Sequence, residues 1–286
     1  MLDPRLLRSF AAIVDAGSFT LAADRLNMTQ STISQQLARL ERAVGVALVE
    51  RAARPIEPTS AGERLLGYAR RILSLQQEAQ AALGDPAGTA SIRIGVPEDI
   101  VSATMATVFG DFVRRHRDIQ LDVTAGLSRD LTRRYRVGEF DIVIVKEPVA
   151  SADCHATFPE SMAWFESADA PVDWPDPVPL VAFPPGGLYR EAMFERIEHE
   201  GLRWYIAFSS SSLHNVLVAV GAGLGLSLLP RNAVAGYRVR QYEPFGIEPP
   251  MAVSIYAWES AGPASELVER MGAVLEERHA PLEASR

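Results

Sequence analysis

A single cysteine, Cys154, stands among 286 residues, which excludes an internal disulfide and a multi-cysteine zinc site. Long apolar runs are missing too. Without roughly eighteen consecutive apolar residues, no membrane-spanning helix is expected. The opening MLDPRLLRSF has no basic segment followed by an apolar one, which reads against secretion and for the cytoplasm. The five histidines have no metal-ligand spacing, and His155 beside Cys154 has no further ligand near it. No Ser-His-Asp order or nucleophile elbow occurs, so the expectation is a protein that is not an enzyme and takes no cofactor. The string Gly221, Gly223, Gly225 superficially matches a dinucleotide fingerprint, but it ends a helix and opens a strand, the reverse of what that motif requires. A helix C-cap at Gly221 or Gly223 explains it better.

Excess positive charge is absent as well, the net formal charge being −8. Residues 1–90 carry ten Arg against nine Asp or Glu, a net of +1; the remaining eighteen basic and twenty-seven acidic residues give −9. Any affinity for nucleic acid must therefore come from where a few arginines sit, not from bulk charge.

The first ninety residues read as successive helices. Asp3 caps a helix with Pro4 in its first turn; Leu6, Leu7, Phe10, Ile13 and Val14 recur at helical spacing, and Gly17 ends it. Ser18 caps a short helix through Leu26, and Thr29 caps a third. Residues 50–58 suit a hairpin or loop. Thr59 caps a long helix to about Leu83, with Leu65, Leu66, Ala69, Ile72 and Leu73 on one stripe, and "GDPAG" (84–88) reads as a linker. From Ser91 strands alternate with helices, the mark of a parallel α/β sheet. The strands are "SIRIGV", "IQLDVTAG", "FDIVIV", "MAWF", "VPLVAF", "RWYIAF", "LGLSLL" and "MAVSIYAW"; an amphipathic segment, 266–277, closes the pattern. Proline-rich stretches at 171–179 and 244–250 are taken as excursions between two lobes.

The stretch "LNMTQSTISQQLARLE" (26–41), which contains the start of the third helix, holds two serines, two threonines and three glutamines. Ile33, Leu37, Leu40 and Val44 fall on one side. The opposite face presents Ser31, Gln35, Ala38 and Arg42, flanked by Ser34 and Arg39. Serine and glutamine exchange hydrogen bonds with base edges, a small alanine permits close approach, and arginines such as Arg39 reach phosphates. A solvated surface helix is polar too, although typically richer in Glu and Lys. Both readings stay open on this helix alone.

The order of "LRSFAAIVDAGSFTLAADRLNMTQSTISQQLARLERAVGVALVERAARPIEPTSAGERLL", with the R-x-x-R of Arg51 and Arg54, resembles the N-terminal domain of LysR-type transcriptional regulators. "GEFDIVIV" (138–145) and "GAGLGLSLLP" (221–230) resemble that family's effector domain. The resemblance implies an α-helical winged helix-turn-helix domain (1–58), a long dimerisation helix and hinge (59–90), and a two-lobed α/β periplasmic-binding-protein-like effector domain (91–286). Lobe I would take about 91–152 and 250–286, lobe II about 153–249. By position, the resemblance turns Gln30, Ser31, Thr32, Ser34 and Gln35 toward bases or phosphates, and Arg54 becomes the wing arginine. Gln35 stands where many members carry Arg, Ser31–Thr32 where proline is common, and Val49 and Pro58 replace the usual Phe and Leu. These departures bear on the operator sequence, not on the fold.

Ligands bind such lobes beyond the carboxyl ends of strands. The candidate loops are Pro97–Ile100, Gly126–Arg129 with Ser128, Pro184–Arg190 and Ser209–Ser212. In "FSSSSLHN", hydroxyls of Ser209, Ser210 and Ser211 and free amides gather at a helix N-terminus that suits a carboxylate or phosphate. Arg190, a cation in the first turn of a helix, calls for an anion from a ligand, Glu191 or Glu195. Glu98 and Asp99 act as capping acids at their own helix start or receive an amine or hydroxyl. A small polar effector able to carry both charge types follows. The expected partners are a two-fold double-stranded DNA operator, the effector, and copies of the chain as a homodimer and a tetramer of two dimers, with RNA polymerase as a further candidate and no membrane. The rival reading is a small-molecule binding or catalytic α/β protein whose N-terminal helices only oligomerise it.

Overall fold

The structure, a computed structural model, describes residues 2–84, 90–171, 173–259 and 261–279. Beyond Gly84, the expected linker lies outside them. Two compact units form. One holds the chain up to Ser91 with Arg117–Gln120 and Arg133–Asp141, and the other Ile92–His116, Leu121–Thr132 and the residues from Ile142 on.

The N-terminal unit begins with α1 (Pro4–Ala16), α2 (Phe19–Arg25) and α3 (Gln30–Val44). Side-chain caps start all three: Asp3 accepts from the Arg5 amide, Ser18 from Leu21 and Thr29 from Thr32. Each cap satisfies one of the amides a helix leaves unpaired at its start. Gly17 and Gly45 end α1 and α3 in the left-handed region, at φ 59° and 78°. Leu7, Phe10 and Ile13 of α1, Ala22 of α2, and Ile33, Leu37 and Leu40 of α3 are buried in one cluster. Strands β1 (Val49–Glu50) and β2 (Glu57–Pro58) make a two-residue antiparallel ladder, the wing. The Ile56 amide donates to the Gly17 carbonyl at 2.8 Å, which ties the wing to the end of α1. A Cβ built on Gly17 would sit 2.7 Å from Pro55 Cβ, so this junction has room only for glycine. Helix α4 (Ser60–Gly84) follows, the Thr59 hydroxyl accepting from the Gly62 amide at 3.0 Å. Leu66 and Ala69 are buried, and Leu65, Ile72 and Leu73 pack beside them, whereas Tyr68 and Leu75 are exposed.

The second unit builds a five-stranded sheet from β3 (Ala90–Val96), β4 (Ile119–Ala125), β5 (Ile142–Glu147), β6 (Ala156–Glu160) and β12 (Met251–Ala257), in the order β4-β3-β5-β12-β6. Helices α5 (Ala103–Arg115), α6 (Ser128–Arg136) and α9 (Pro263–His279) accompany it. The parallel sheet expected from strand–helix alternation is present, with one strand reversed. β3 and β5 are parallel, but β12 runs antiparallel to both β5 and β6. β12 returns from the other lobe through the 244–250 segment, not through a crossover helix, so it enters from the opposite end.

That other lobe contains β7 (Met162–Ser167), β8 (Val178–Ala182), α7 (Leu188–His199), β9 (Trp204–Ser209), α8 (Leu213–Gly221), β10 (Ser227–Pro230) and β11 (Val239–Gln241). β8 and β9 pair in parallel, and β10-β7-β11 form an antiparallel sheet. A parallel bridge from Leu180 to Leu226 joins the two. Gly225 makes it possible: at φ 158°, a Cβ there would lie 2.4 Å from the Pro179 carbonyl oxygen. β5, β7 and β8 are buried almost throughout, as strands covered on both faces must be. Two sequence expectations shift. β6 belongs to the first sheet, so the chain leaves it after Glu160, not near residue 152. Residues 173–177 precede β8, and Val178 and Pro179 open it, so this part of the stretch connects strands within the second lobe.

Candidate functional site

Helix α3 divides as its periodicity suggests. Ile33, Leu37 and Leu40 are buried, while Gln30, Ser31, Gln35 and Arg39 are exposed and Thr32 and Ser34 half-buried. At its start the Thr29 hydroxyl meets those of Ser31 and Thr32 at 2.9 and 2.8 Å, and Thr20 Oγ1 donates to Gln30 Oε1 at 3.4 Å. Gln36 turns the other way. Its amide oxygen accepts from the buried Ser9 hydroxyl, which locks α3 onto α1. Arg42 Nε folds back onto the Ala38 carbonyl at 3.2 Å. On the wing, Arg54 is exposed and its Nη1 donates to the carbonyls of Ala53 and Arg51, while Arg51 pairs with Glu41 at 2.8 Å. The exposed face of α3 therefore presents hydroxyls, amides and two arginines, Arg39 and Arg42, without a carboxylate on its first two turns.

In the second unit, the carboxyl ends of β3, β4, β5, β8 and β9 converge on a cleft of about 320 Å³. It is lined by Pro97, Glu98 and Asp99 after β3, Gly126–Ser128 after β4, Lys146 on β5, Phe183, Leu188 and Tyr189 after β8, and Ser211–Leu213 after β9. Of the residues expected from sequence, Pro97, Glu98, Asp99, Ser128 and Ser211 lie on this lining. Arg190, Ser209 and Ser210 do not. The Arg190 guanidinium donates to the Phe183 carbonyl at 2.8 Å and lies 4.8 Å from the Phe194 ring centre, so neither Glu191 nor Glu195 answers its charge. Ser209 ends β9, and the Ser210 hydroxyl accepts from the Ser212 amide and Asn215 Nδ2. Ser128 Oγ accepts from the Lys146 amide at 2.9 Å, joining the β4 and β5 ends.

The floor of the cleft carries a cluster that sequence reasoning missed. Lys146 is the only lysine in the chain, and its side chain is 3% exposed. Its ammonium meets the carboxylates of Asp99 and, at 2.6 Å, Glu160. Arg278 Nη2 reaches the same two acids at 2.9 and 3.4 Å, and its Nη1 donates to the Asp99 carbonyl. Two cations thus face two carboxylates, which is the condition for keeping such charges out of water. Burial alone pushes the Lys146 pKa down; the Tyr189 oxygen and the Asp99 and Glu160 carboxylates outweigh it, and the net shift is upward. Burial likewise pushes the Tyr189 phenol upward, only partly opposed by the Lys146 charge, so it stays protonated at neutral pH. The signal was present in the sequence: a lone lysine among twenty-eight basic residues, directly after the apolar run Ile142–Val145.

Glu98 does not cap its own segment. Residues 98–100 form a single 3-10 turn without a side-chain cap, and Ser102 caps α5 instead. The Glu98 carboxylate crosses the cleft, accepting from Ser212 Oγ at 2.9 Å and from the Leu213 amide at 3.0 Å, at the start of α8. The serine-rich helix start that suited an external anion already holds an internal one. On the far side of Glu98 lies a second cavity of about 670 Å³, which shares Glu98, Asp99 and Leu213 with the cleft and is also lined by residues of α8 and α9, by Thr104 of α5, and by Asn232, Ala233 and Tyr237 after β10. Among the described residues no His, Cys, Asp and Glu group has metal-binding geometry, and no helix is long and apolar enough to cross a membrane.

The family model for the bacterial regulatory helix-turn-helix protein of the lysR family matches residues 4–63, and that for the LysR substrate binding domain matches residues 87–280. The HTH-type transcriptional regulator DgdR of Burkholderia cepacia is 30% identical over 233 residues, covering 82% of this chain and 79% of that protein. PecT of Dickeya dadantii, also an HTH-type transcriptional regulator, is 31% identical over 229 residues, 79% of this chain and 72% of that one. Solved structures agree in fold. Full-length LysG from Corynebacterium glutamicum with its effector arginine bound aligns with a TM-score of 0.63 at 22% identity, covering 96% of this chain and 99% of that one. ArgP from Mycobacterium tuberculosis aligns at 0.59 and 24% identity, covering 99% of each. With a winged helix-turn-helix and a two-lobed α/β unit joined in one chain, and both family models matched in order, the protein belongs to the LysR-type transcriptional regulators, DNA-binding proteins with an effector-binding domain.

Proposed function

We propose that α3 reads a two-fold operator in the major groove through Gln30, Ser31, Thr32, Ser34 and Gln35, while Arg39 and the wing arginine Arg54 hold phosphates or the adjacent minor groove. The observation that carries this is the exposed face of α3, neutral and free of carboxylates on its first two turns, on a helix locked to its neighbours by Ile33, Leu37, Leu40 and the Ser9–Gln36 bond. Gln and Ser discriminate base edges, whereas arginines on phosphates bind all sequences alike. Helix α4, 25 residues and so about 37 Å long, extends past the winged domain with Tyr68 and Leu75 exposed. It serves as the seam of a homodimer that pairs into a tetramer on DNA, next to RNA polymerase in the cytoplasm. The working division is 1–58 for DNA binding, 59–90 for dimerisation and 91–286 for the effector.

The cleft between the lobes of the second unit receives the effector, against Pro97, Glu98, Asp99, Ser128 and Ser211. Its volume lies at the small end of ligand sites. Gel shifts on genomic fragments at fixed salt test the reading. Selective retardation is expected, altered in pattern by Gln35→Ala with Ser31→Ala and weakened uniformly by Arg54→Ala. Equal weak binding to every fragment by all three proteins would return the N-terminal helices to a purely oligomerising role.

A further inference from the structure

Resting on the cleft reading above, the geometry points to Glu98 as a specificity-determining residue: a built-in carboxylate that bridges the lobes, fills the anion position at the start of α8 and so excludes effectors that bind there through a carboxylate.

Four observations converge. Glu98 belongs to the turn after β3 in the first lobe, and its acceptors' partners, Ser212 and Leu213, open α8 in the second. Both carboxylate oxygens are used, one on a hydroxyl and one on a main-chain amide. Ser212 is the N-cap of α8 yet makes no cap bond of its own, so the helix relies on an acid 115 residues away for the Leu213 amide. Lastly, no cation on the cleft lining is left for an incoming anion. Lys146, the only basic residue there among the described residues, is committed to Asp99 and Glu160.

An acid effector would thus have to compete with a carboxylate held in place by the chain, whose effective concentration is in the millimolar range or above. The displaced Glu98 would remain beside it as a like charge. Compounds that offer a hydrogen-bond donor or a cation face neither cost, and Phe183 and Tyr189 give them an apolar and aromatic wall. The effector class is therefore a small neutral or cationic molecule. This narrows the expectation of one able to carry both charges.

The test uses full-length protein with sodium acetate and, at equal ionic strength, sodium chloride and methylammonium chloride as probes. Glu98→Ala removes the carboxylate and leaves the α8 amides uncovered; Glu98→Gln keeps the volume and one acceptor. Thermal unfolding of Glu98→Ala is expected to shift upward saturably with acetate, by about 3–6 °C at ten times its apparent Kd, and not with chloride. Unmodified protein and Glu98→Gln should show no acetate-specific shift. Hydrogen exchange in the peptide spanning Leu213 should quicken in Glu98→Ala and slow again with acetate. Acetate stabilising the unmodified protein as well as the variant, or failing to stabilise Glu98→Ala, overturns the proposal. Exchange at Leu213 that ignores the substitution overturns it too. Should a metabolite screen on unmodified protein protect no cleft peptide, the effector-cleft reading fails by itself, because acetate rescue does not depend on it.

Discussion

Replacing Lys146 by methionine removes one ammonium from a four-charge cluster and keeps an unbranched apolar stem of four heavy atoms. Its partners cannot follow. Glu160 is 0% and Asp99 11% exposed, so two carboxylates are left facing the single Arg278 guanidinium. Breaking a buried pair from one side costs about 3–5 kcal/mol. For a unit of this size that corresponds to a fall in Tm of about 6–20 °C. Scanning calorimetry of the full chain reads it directly in the transition of the effector domain. The companion variant, Lys146→Met with Glu160→Leu, restores balance by leaving Arg278 opposite Asp99 alone. Because the substituted pair is then apolar on both sides, the double variant is expected to recover at least half of the loss. If instead the two substitutions add, the charges are not one coupled cluster and the cleft floor owes its order to packing.

The same lysine gives a pH prediction. Its folded-state pKa is raised above the ordinary value of 10.5, so its contribution is fully present below that value and is lost only as pH rises through the folded one. The Tm gap between native protein and Lys146→Met should stay constant from pH 6 to 9 and narrow only above about pH 10.4, as denaturation at a series of pH values will show. Gly17→Ala forces a side chain against Pro55 at a left-handed position and should lower the stability of the DNA-binding unit by more than about 1 kcal/mol, measured by urea unfolding. Leu37→Ala, in the core under α3, should cost about 2–5 kcal/mol and abolish operator binding, leaving effector-domain thermal shifts unchanged. Burial, with Glu147 and Asp153 nearby, pushes the Cys154 thiol pKa up, away from the reactive thiolate. Cys154→Ser should therefore leave DNA binding as it was in gel shifts with and without hydrogen peroxide.

Most of the N-terminal unit was legible because its signals are local. Asp3, Ser18, Thr29 and Thr59 cap where their side chains predict, and a 3.6-residue period selects Ile33, Leu37 and Leu40. The strands of the second unit were legible wherever they are continuous apolar runs, as in Ile142–Val145 and Val178–Ala182. β6 and β11 escaped notice. "ATFPE" has a proline and a single large apolar residue, and three residues of β11 carry no period. The direction of β12 was invisible because tertiary return, not local sequence, sets it. The same limit applied at the cleft. Loops after strands named Glu98 and Asp99, but that Glu98 serves a helix 115 residues onward, and that Asp99 answers a lysine on β5, depends on long-range contacts no spacing encodes.

Selection of bound fragments from a random duplex library, run in parallel with native protein and with Gln35→Ala, tests most directly whether α3 reads DNA. A two-fold consensus is expected with the native protein, and Gln35→Ala should relax symmetric positions in both half-sites while the phosphate-driven salt dependence stays the same. Recovery of no consensus, or of the same consensus from both proteins at every position, would contradict the assignment of the α3 face as the reading surface.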